Sequence, residues 1–369
     1  MSRAIVLAAN SSWNLVNFRA PIIAGLMARG YDIVAAVPDE DAAADLRKMG
    51  VTIHRVPIDA HGLSPIRDAR LFGSYHSLLR RLRPAAFLAF TAKPNIYGGM
   101  AAAALRIPVI NTITGLGTSF LSGRALEWIV TGLYRQALRR SARAFFHNPE
   151  DRDFFVDHRL LKASQAAVVP GSGVNLQHFC PDPARRSKTL PTFLFIGRFL
   201  KDKGALEFAE AAAIVRRTHS ARFQMLGRLE DHPRAASRGA IEKFASDGTV
   251  EIIQPVRDVR PLIAAADCIV LPSYREGLPR AVMEASAMAK PSIAADVPGC
   301  RQAIDHGQTG LLCEARSASS LAEAMTAFIL MTPAERAAMG KEARLKAERE
   351  FSEAIVVDAY LEVLREVGA

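Results

Sequence analysis

Short apolar runs alternate with amphipathic segments along nearly the whole chain. In the first half, 3–8, 32–37, 52–56, 86–90, 109–112, 144–146 and 166–169 are short, apolar and bounded by polar or turn residues, which predicts buried strands. Between them, 19–29 and 71–82 carry apolar residues at three- and four-residue spacing, the period of a helix with one buried face. Pro170-Gly171-Ser172-Gly173-Val174-Asn175 is a turn-rich break, and 181–191 is a polar stretch with the character of a linker. Alternation then restarts. Strands are predicted at 192–196, 222–226, 250–253, 268–271, 292–295 and 310–313, and helices at 204–218, 237–246, 259–265, 278–289 and 321–329. Residues 348–369 are helical and amphipathic in pattern, at the tail. Such alternation predicts parallel βαβ units. The expected fold class is therefore α/β, with two doubly wound Rossmann-like halves: 1–175, joined by a tail helix at 355–369, and 176–354.

Composition narrows this picture. A length of 369 residues, half of them hydrophobic, allows two sizeable cores. No apolar stretch reaches the roughly 18 residues needed to span a bilayer. The apolar start 4–9 runs into Asn10-Ser11-Ser12 and reads as a first strand, not a secretory signal. Cys180, Cys268, Cys300 and Cys313 are scattered with no Cys-x-x-Cys pair, which argues for reduced thiols in a cytosolic setting and against a zinc site.

Charge is uneven. Residues 1–180 hold 21 Lys/Arg against 12 Asp/Glu, whereas the remainder holds 26 against 25. A basic half suits an anionic membrane surface, a phosphorylated acceptor or nucleic acid. No aromatic single-strand platform or nucleic-acid motif accompanies it, so no nucleic-acid partner is expected. Segment 124–143 interleaves Trp128, Ile129, Leu133, Tyr134 and Leu138 with Arg124, Arg135, Arg139, Arg140 and Arg143. It fits a helix on an anionic membrane, with 116–121 dipping into lipid, or a core helix with a solvated rim.

The candidate chemistry lies in the second half. Gly197-Arg198-Phe199-Leu200-Lys201-Asp202-Lys203-Gly204 follows a predicted strand and leads into a helix. Two cations beside a helix start suit a diphosphate; a solvated basic turn is the plain alternative. Further on, Glu276 and Glu284 stand eight positions apart around Gly277-Leu278-Pro279. Pro279 fits a first helical residue, which puts Glu276 in a strand-to-helix turn, Glu284 one to two turns inside, and the N–H groups of Gly277 and Leu278 at the helix mouth. Isolated glutamates at this spacing are ordinary surface residues; the strand, the turn and the upstream cations set this pair apart. Asp39/Asp41 and Asp151/Asp153 read as first-turn acids, so no metal is expected.

Gly-Arg-x4-Lys-Gly, then Glu-Gly-Leu-Pro with a second Glu eight positions after the first, resembles the retaining glycosyltransferases of the GT-B fold, and within them the large family four. The resemblance extends over essentially the whole chain and is most specific within 192–315. It implies two Rossmann-like domains facing a cleft, with the C-terminal helix crossing back to the first. It also implies roles: Glu276 on the donor-sugar hydroxyls, Gly277 and Leu278 on phosphate by backbone, Glu284 on the ribose, and Arg198 and Lys203 on the diphosphate, from the loop that Gly197 opens. Pro279 has no N–H to offer. Val256, in 254–257, is expected to meet a uracil-like edge by backbone, and Gly227-Arg228 either lines the same cleft or is surface.

On the acceptor side, the loop after the first strand lacks the Gly-Gly of many members. Asn14 and Asn17 instead offer amides to sugar hydroxyls, or cap a helix. Lys93, Asn95, Thr114 and Gly115 are expected at strand ends facing the cleft. These stretches are similar to a subgroup that adds N-acetylated sugars to lipid-linked acceptors in bacterial glycan assembly. No His stands near Thr114, so no His role is carried over.

The resemblance thus implies transfer of N-acetylgalactosamine or N-acetylglucosamine from a UDP-sugar to a polyprenyl-diphosphate-linked sugar. It would proceed with retention, without cofactor or metal, by a peripheral enzyme at the cytoplasmic face of the membrane, contacting it through the basic first domain. No carboxylate in that half stands out as a nucleophile, which favours front-face transfer. Two alternatives share the fold: a nucleotide-sugar 2-epimerase, needing acid/base residues in the cleft, and a non-catalytic sensor, expected to have lost Arg198, Lys203 or Glu276.

Overall fold

The computed structural model describes residues 3–38, 41–59, 64–115, 124–182, 190–229 and 235–369. Asp39, the 116–121 segment and most of the polar stretch 181–191 lie outside the described residues. The chain divides into two compact units, 1–172 with 353–369, and 173–352. The sequence-based boundaries were 175 and 354.

The first unit holds seven strands: β1 Ala4–Ala8, β2 Asp32–Val37, β3 Thr52–Arg55, β4 Ala86–Phe90, β5 Val109–Ile113, β6 Arg143–Phe146 and β7 Ala166–Val168. They are parallel, in the order β3-β2-β1-β4-β5-β6-β7. Every expected strand is present; the inner ones are runs covered by helices on both faces, with no polar side to blur their signal, whereas the edge strands β3 and β7 are partly exposed. The order reverses between β1 and β4, the switch point where doubly wound sheets bind ligands. Helix Glu353–Glu366 crosses back to this unit and seats Val356, Tyr360 and Leu364 in its core.

Helix boundaries correct the sequence reading in three places. The first helix runs Ser12–Met27 and starts well before 19, because the Ser11 side chain accepts the Asn14 N–H at 3.2 Å and caps it. Helix Pro333–Glu350 has no strong apolar stripe and escaped prediction; a Thr332/Glu335 capping box begins it. The helical pattern 348–369 is divided between the end of that helix and the tail helix Glu353–Glu366. Phe351 caps Pro333–Glu350, is buried in the second unit, and its carbonyl accepts the Val174 N–H at 2.7 Å. Helix Arg124–Leu138 buries Tyr134, Ala137 and Leu138 and leaves Trp128 and Ile129 exposed.

The second unit has six parallel strands: β8 Thr192–Ile196, β9 Arg222–Leu226, β10 Glu251–Ile253, β11 Cys268–Leu271, β12 Ser292–Ala295 and β13 Gly310–Cys313. Their order is β10-β9-β8-β11-β12-β13, with the switch point between β8 and β11. Phe193, Phe195, Phe208, Phe223 and Phe328 fill one face of this sheet. Helix Arg280–Ala287 packs Val282, Met283 and Ala285 on the other.

Candidate active site

The loops leaving β8 and β11 converge at the switch point. The Gly197 N–H donates to Leu226 O at 3.0 Å, and the Phe199 N–H to Arg228 O at 3.3 Å. At Gly227 a Cβ would lie 2.0 Å from Gly197 O, so the exits of β8 and β9 touch because no side chain separates them. Lys201–Lys203 makes one 3-10 turn that ends at Gly204, with φ +70°. A Cβ there would lie 2.2 Å from Pro272 O, so glycine lets the cation loop lie on the exit of β11. The Tyr274 N–H donates to Asp202 O at 2.9 Å and ties the same two loops.

This apposition brings Lys203 to Glu276, Nζ to Oε1 at 2.5 Å. Both side chains are mostly sheltered, at 25% and 13% exposure. Arg198 is exposed on the same loop. Pro279 is the N-cap, not the first helical residue. Its ψ of 115° is extended, and its carbonyl accepts the Val282 and Met283 N–H groups at 3.1 Å each. Glu284 is then the fifth residue of helix Arg280–Ala287 and almost buried. Arg280 Nε donates to its Oε1 at 2.6 Å. Burial pushes the Glu284 carboxyl up, and the Arg280 charge and hydrogen bond oppose that rise.

Sequence reasoning passed over several of these groups. Arg280 lies four residues before Glu284 on one helix, a spacing that pairs opposite charges and was readable. Tyr274 and Gly299 carried no such signal. At Gly299, φ +80°, a Cβ would lie 2.4 Å from Gly277 O and 2.7 Å from Glu276 O. The turn between those residues is thus boxed by the loop after β12. Leu278 buries its side chain in the core beneath, whereas Val256, in the loop after β10, is 43% exposed. Among the described residues, no three or more His, Cys, Asp or Glu side chains gather as a metal site, and no helix is long and apolar enough to cross a membrane.

In the first unit, the loops after β1, β4 and β5 border the other switch point. Asn14 and Asn17 lie inside helix Ser12–Met27, so neither is its cap. Asn17 Nδ2 donates to Trp13 O at 2.9 Å, while Asn14 Oδ1 is buried without a hydrogen-bond partner. Asn95 corrects the sequence reading. It is buried, its Nδ2 donates to Thr112 O at 2.8 Å, and its Oδ1 accepts from Asn111 Nδ2 at 3.0 Å and Thr112 N–H at 3.2 Å. Its amide pins β5 to the loop after β4 and is not presented to a ligand. Lys93 is similarly engaged: Nζ meets Asp68 Oδ1 at 2.6 Å, and the Tyr97 hydroxyl donates to the other Asp68 oxygen at 2.8 Å. Thr114 and Gly115 follow β5, half-buried. Thr91, at the end of β4, was not singled out; it holds φ +81°, costly for a β-branched residue, and its hydroxyl is buried without a partner.

Two family models match the two halves: residues 4–148 match "Glycosyl transferase 4-like" and residues 190–330 match "Glycosyl transferases group 1". The chain belongs to the family-four GT-B glycosyltransferases. Over 95% of its length, and 95% of the relative's, it is 26% identical to the N,N'-diacetylbacillosaminyl-diphospho-undecaprenol alpha-1,3-N-acetylgalactosaminyltransferase of Campylobacter jejuni. It is 22% identical, over 80% of this chain and 79% of the relative, to a UDP-Gal:alpha-D-GlcNAc-diphosphoundecaprenol alpha-1,3-galactosyltransferase of Escherichia coli. Among solved structures, a glycosyltransferase from Rickettsia africae matches with a TM-score of 0.80 at 17% identity, covering 99% of this chain and 98% of the other. Anabaena HepE in complex with UDP matches with a TM-score of 0.79 at 17% identity, covering 99% and 100%. These structural likenesses extend the fold assignment across this glycosyltransferase's whole length. The site residues rest on its own geometry.

Proposed function

We propose that this glycosyltransferase moves N-acetylgalactosamine or N-acetylglucosamine from a UDP-sugar to a polyprenyl-diphosphate-linked sugar, with retention and without a metal ion. The Lys203–Glu276 contact carries this reading. Without donor, the ammonium and the carboxylate satisfy each other. A diphosphate competes for Lys203 and frees Glu276 to accept hydrogen bonds from sugar hydroxyls. Glu284 takes the ribose hydroxyls, and the backbone of Val256 meets the uracil edge.

As the sugar C1–O bond breaks, negative charge grows on the β-phosphate. Lys203, Arg198 and the backbone N–H groups of Gly277 and Leu278 stabilise it there. The acceptor oxygen bonds to the same face of C1, and its proton passes to the leaving phosphate oxygen. Neither glutamate need act as acid or base, unlike the pair of a retaining glycosidase. The lipid-diphosphate substrates named for the Campylobacter and Escherichia relatives support the acceptor class.

Asn14, Asn17, Thr114 and Gly115 are proposed on the acceptor side, with Lys93 and Asn95 shaping the loop behind them. A lipid-linked acceptor supports work at a membrane surface, and we place that work at its cytoplasmic face. Exposed Trp128 and Ile129, followed by Arg135 on the same helix and Arg139 just past its end, favour the membrane side of the earlier alternative for that face.

The test is incubation with UDP-N-acetylgalactosamine and UDP-N-acetylglucosamine, with and without an undecaprenyl-diphosphate-linked N-acetylhexosamine. UDP release that needs the acceptor is expected. Interconversion of free sugar nucleotides would instead identify an epimerase.

A further inference from the structure

We propose that Tyr274 is a positioning residue that fixes the Glu276 turn against the Lys203 loop, so that Glu276 meets the donor sugar in one place. This rests on the reading of Glu276 as the donor-sugar contact. Tyr274 lies two residues before Glu276, in irregular backbone after β11.

Three elements hold it. Its N–H donates to Asp202 O at 2.9 Å, on the turn that carries Lys203. Its hydroxyl donates to the Glu207 carboxylate, in the first turn of helix Ala205–Val215. The Arg316 guanidinium sits 4.8 Å over its ring, from the segment after β13. That helix begins immediately after Lys203-Gly204. The Tyr274–Glu207 hydrogen bond therefore links the chain that carries Lys203 to the chain that carries Glu276.

The bond is well placed to hold a position. The other Glu207 oxygen is buried and accepts no hydrogen bond, so removing the phenol leaves the carboxylate without its donor. Burial, reinforced by Glu207, pushes the Tyr274 phenol up, which keeps it a donor at neutral pH. From a fixed Tyr274, two residues of chain reach at most about 7 Å, so anchoring this backbone confines Glu276 closely. A misplacement of about 1 Å at such a site is enough to cost catalysis heavily.

The experiment compares wild type with Tyr274→Phe, Glu207→Ala, Glu207→Gln and Glu276→Ala. Calorimetry reads binding of UDP, UDP-N-acetylgalactosamine and UDP-N-acetylglucosamine, alongside melting temperature and hydrogen exchange of amides 272–278. Tyr274→Phe is expected to keep UDP affinity within about twofold while losing about tenfold in affinity for the sugar nucleotide, the size of one lost hydrogen bond to a charged group. Amides 275–278 should exchange faster with little change in melting, as in a local opening. Glu207→Ala should match it, and Glu207→Gln, which keeps an acceptor for the phenol, should stay near wild type.

Unchanged loop protection in Tyr274→Phe overturns the proposal. So does an equal loss of UDP and sugar-nucleotide affinity with a fall in melting temperature, the signature of a merely structural residue. The underlying reading is tested separately: Glu276→Ala with full sugar-nucleotide affinity sinks the site assignment, whereas its failure beside a normal Tyr274→Phe sinks only the role of Tyr274.

Discussion

Lys203 and Glu276 belong to two different strand-to-helix turns, 73 positions apart, yet Nζ reaches Oε1 at 2.5 Å. Each is the group the other needs while no donor is bound. In the proposed reading, the donor divides them, taking the cation onto phosphate and the carboxylate onto sugar.

Removing either should therefore be severe and unequal. Glu276→Ala is expected to abolish transfer. Lys203→Ala should cost at least about 100-fold in turnover, the effect of losing one charge-stabilising donor. Acceptor-dependent UDP release measures both, and near-normal rates in the pair would refute the site.

Arg280→Ala should act through Glu284. Burial already pushes that carboxyl up, and Arg280 is what opposes it. Without Arg280, a larger fraction of Glu284 is protonated at a given pH and cannot accept from ribose as an anion. The donor KM should rise about tenfold at neutral pH, within the range for a hydrogen bond to a charged group. The rise on acidification should begin at a higher pH than in wild type. A pH series of KM checks this; identical profiles would remove Glu284 from nucleotide binding.

Gly204→Ala and Gly227→Ala should each damage the site through backbone alone. The added methyl would lie 2.2 Å from Pro272 O or 2.0 Å from Gly197 O, so the loops must separate. At Gly204 a positive φ adds about 1–2 kcal/mol for an L side chain. Melting temperature and UDP affinity are both expected to fall. A variant melting like wild type and binding UDP normally would contradict the packing described for these loops.

Asn95→Ala should lower stability by about 2–4 kcal/mol, because Thr112 O, Thr112 N–H and the Asn111 amide lose a buried partner at once. Chemical denaturation reads this. A stable variant with selectively weakened acceptor use would restore Asn95 to substrate binding.

His147 should make the first unit acid-sensitive. Burial first, and the Arg19 charge second, push its imidazole down to about 3 from 6.5. The folded state thus binds fewer protons than the unfolded state between these values. The stability this group allows is fully present above about pH 6.5 and is lost as pH falls toward 3, with a limiting slope of about 1.4 kcal/mol per pH unit. His147→Gln should flatten that part of a pH–stability curve. An unchanged slope would show that other groups set it.

The strands of the described residues were legible in the sequence: those covered on both faces are plain apolar runs such as Cys268–Leu271, and the partly exposed edge strands such as Thr52–Arg55 were placed by the alternation around them. The two-unit α/β architecture followed from their alternation, and the family from the resemblance that the residues and spacing of its motif carry. Helix Pro333–Glu350 was not legible, since its buried positions include Gly340, two alanines and Lys346, which give little apolar period to find.

Only the tertiary structure decided what the remaining polar residues do. Asn95 looked like a ligand-facing amide and is a buried pin between strand ends. Tyr274 had no motif to mark it and ties two loops together. A strand or a motif is encoded by neighbours in the chain, whose period survives in one dimension. The partner of a single side chain is chosen by which loops the sheet order brings together, and that juxtaposition of Lys203, Glu207, Tyr274 and Glu276 exists only once the chain has folded.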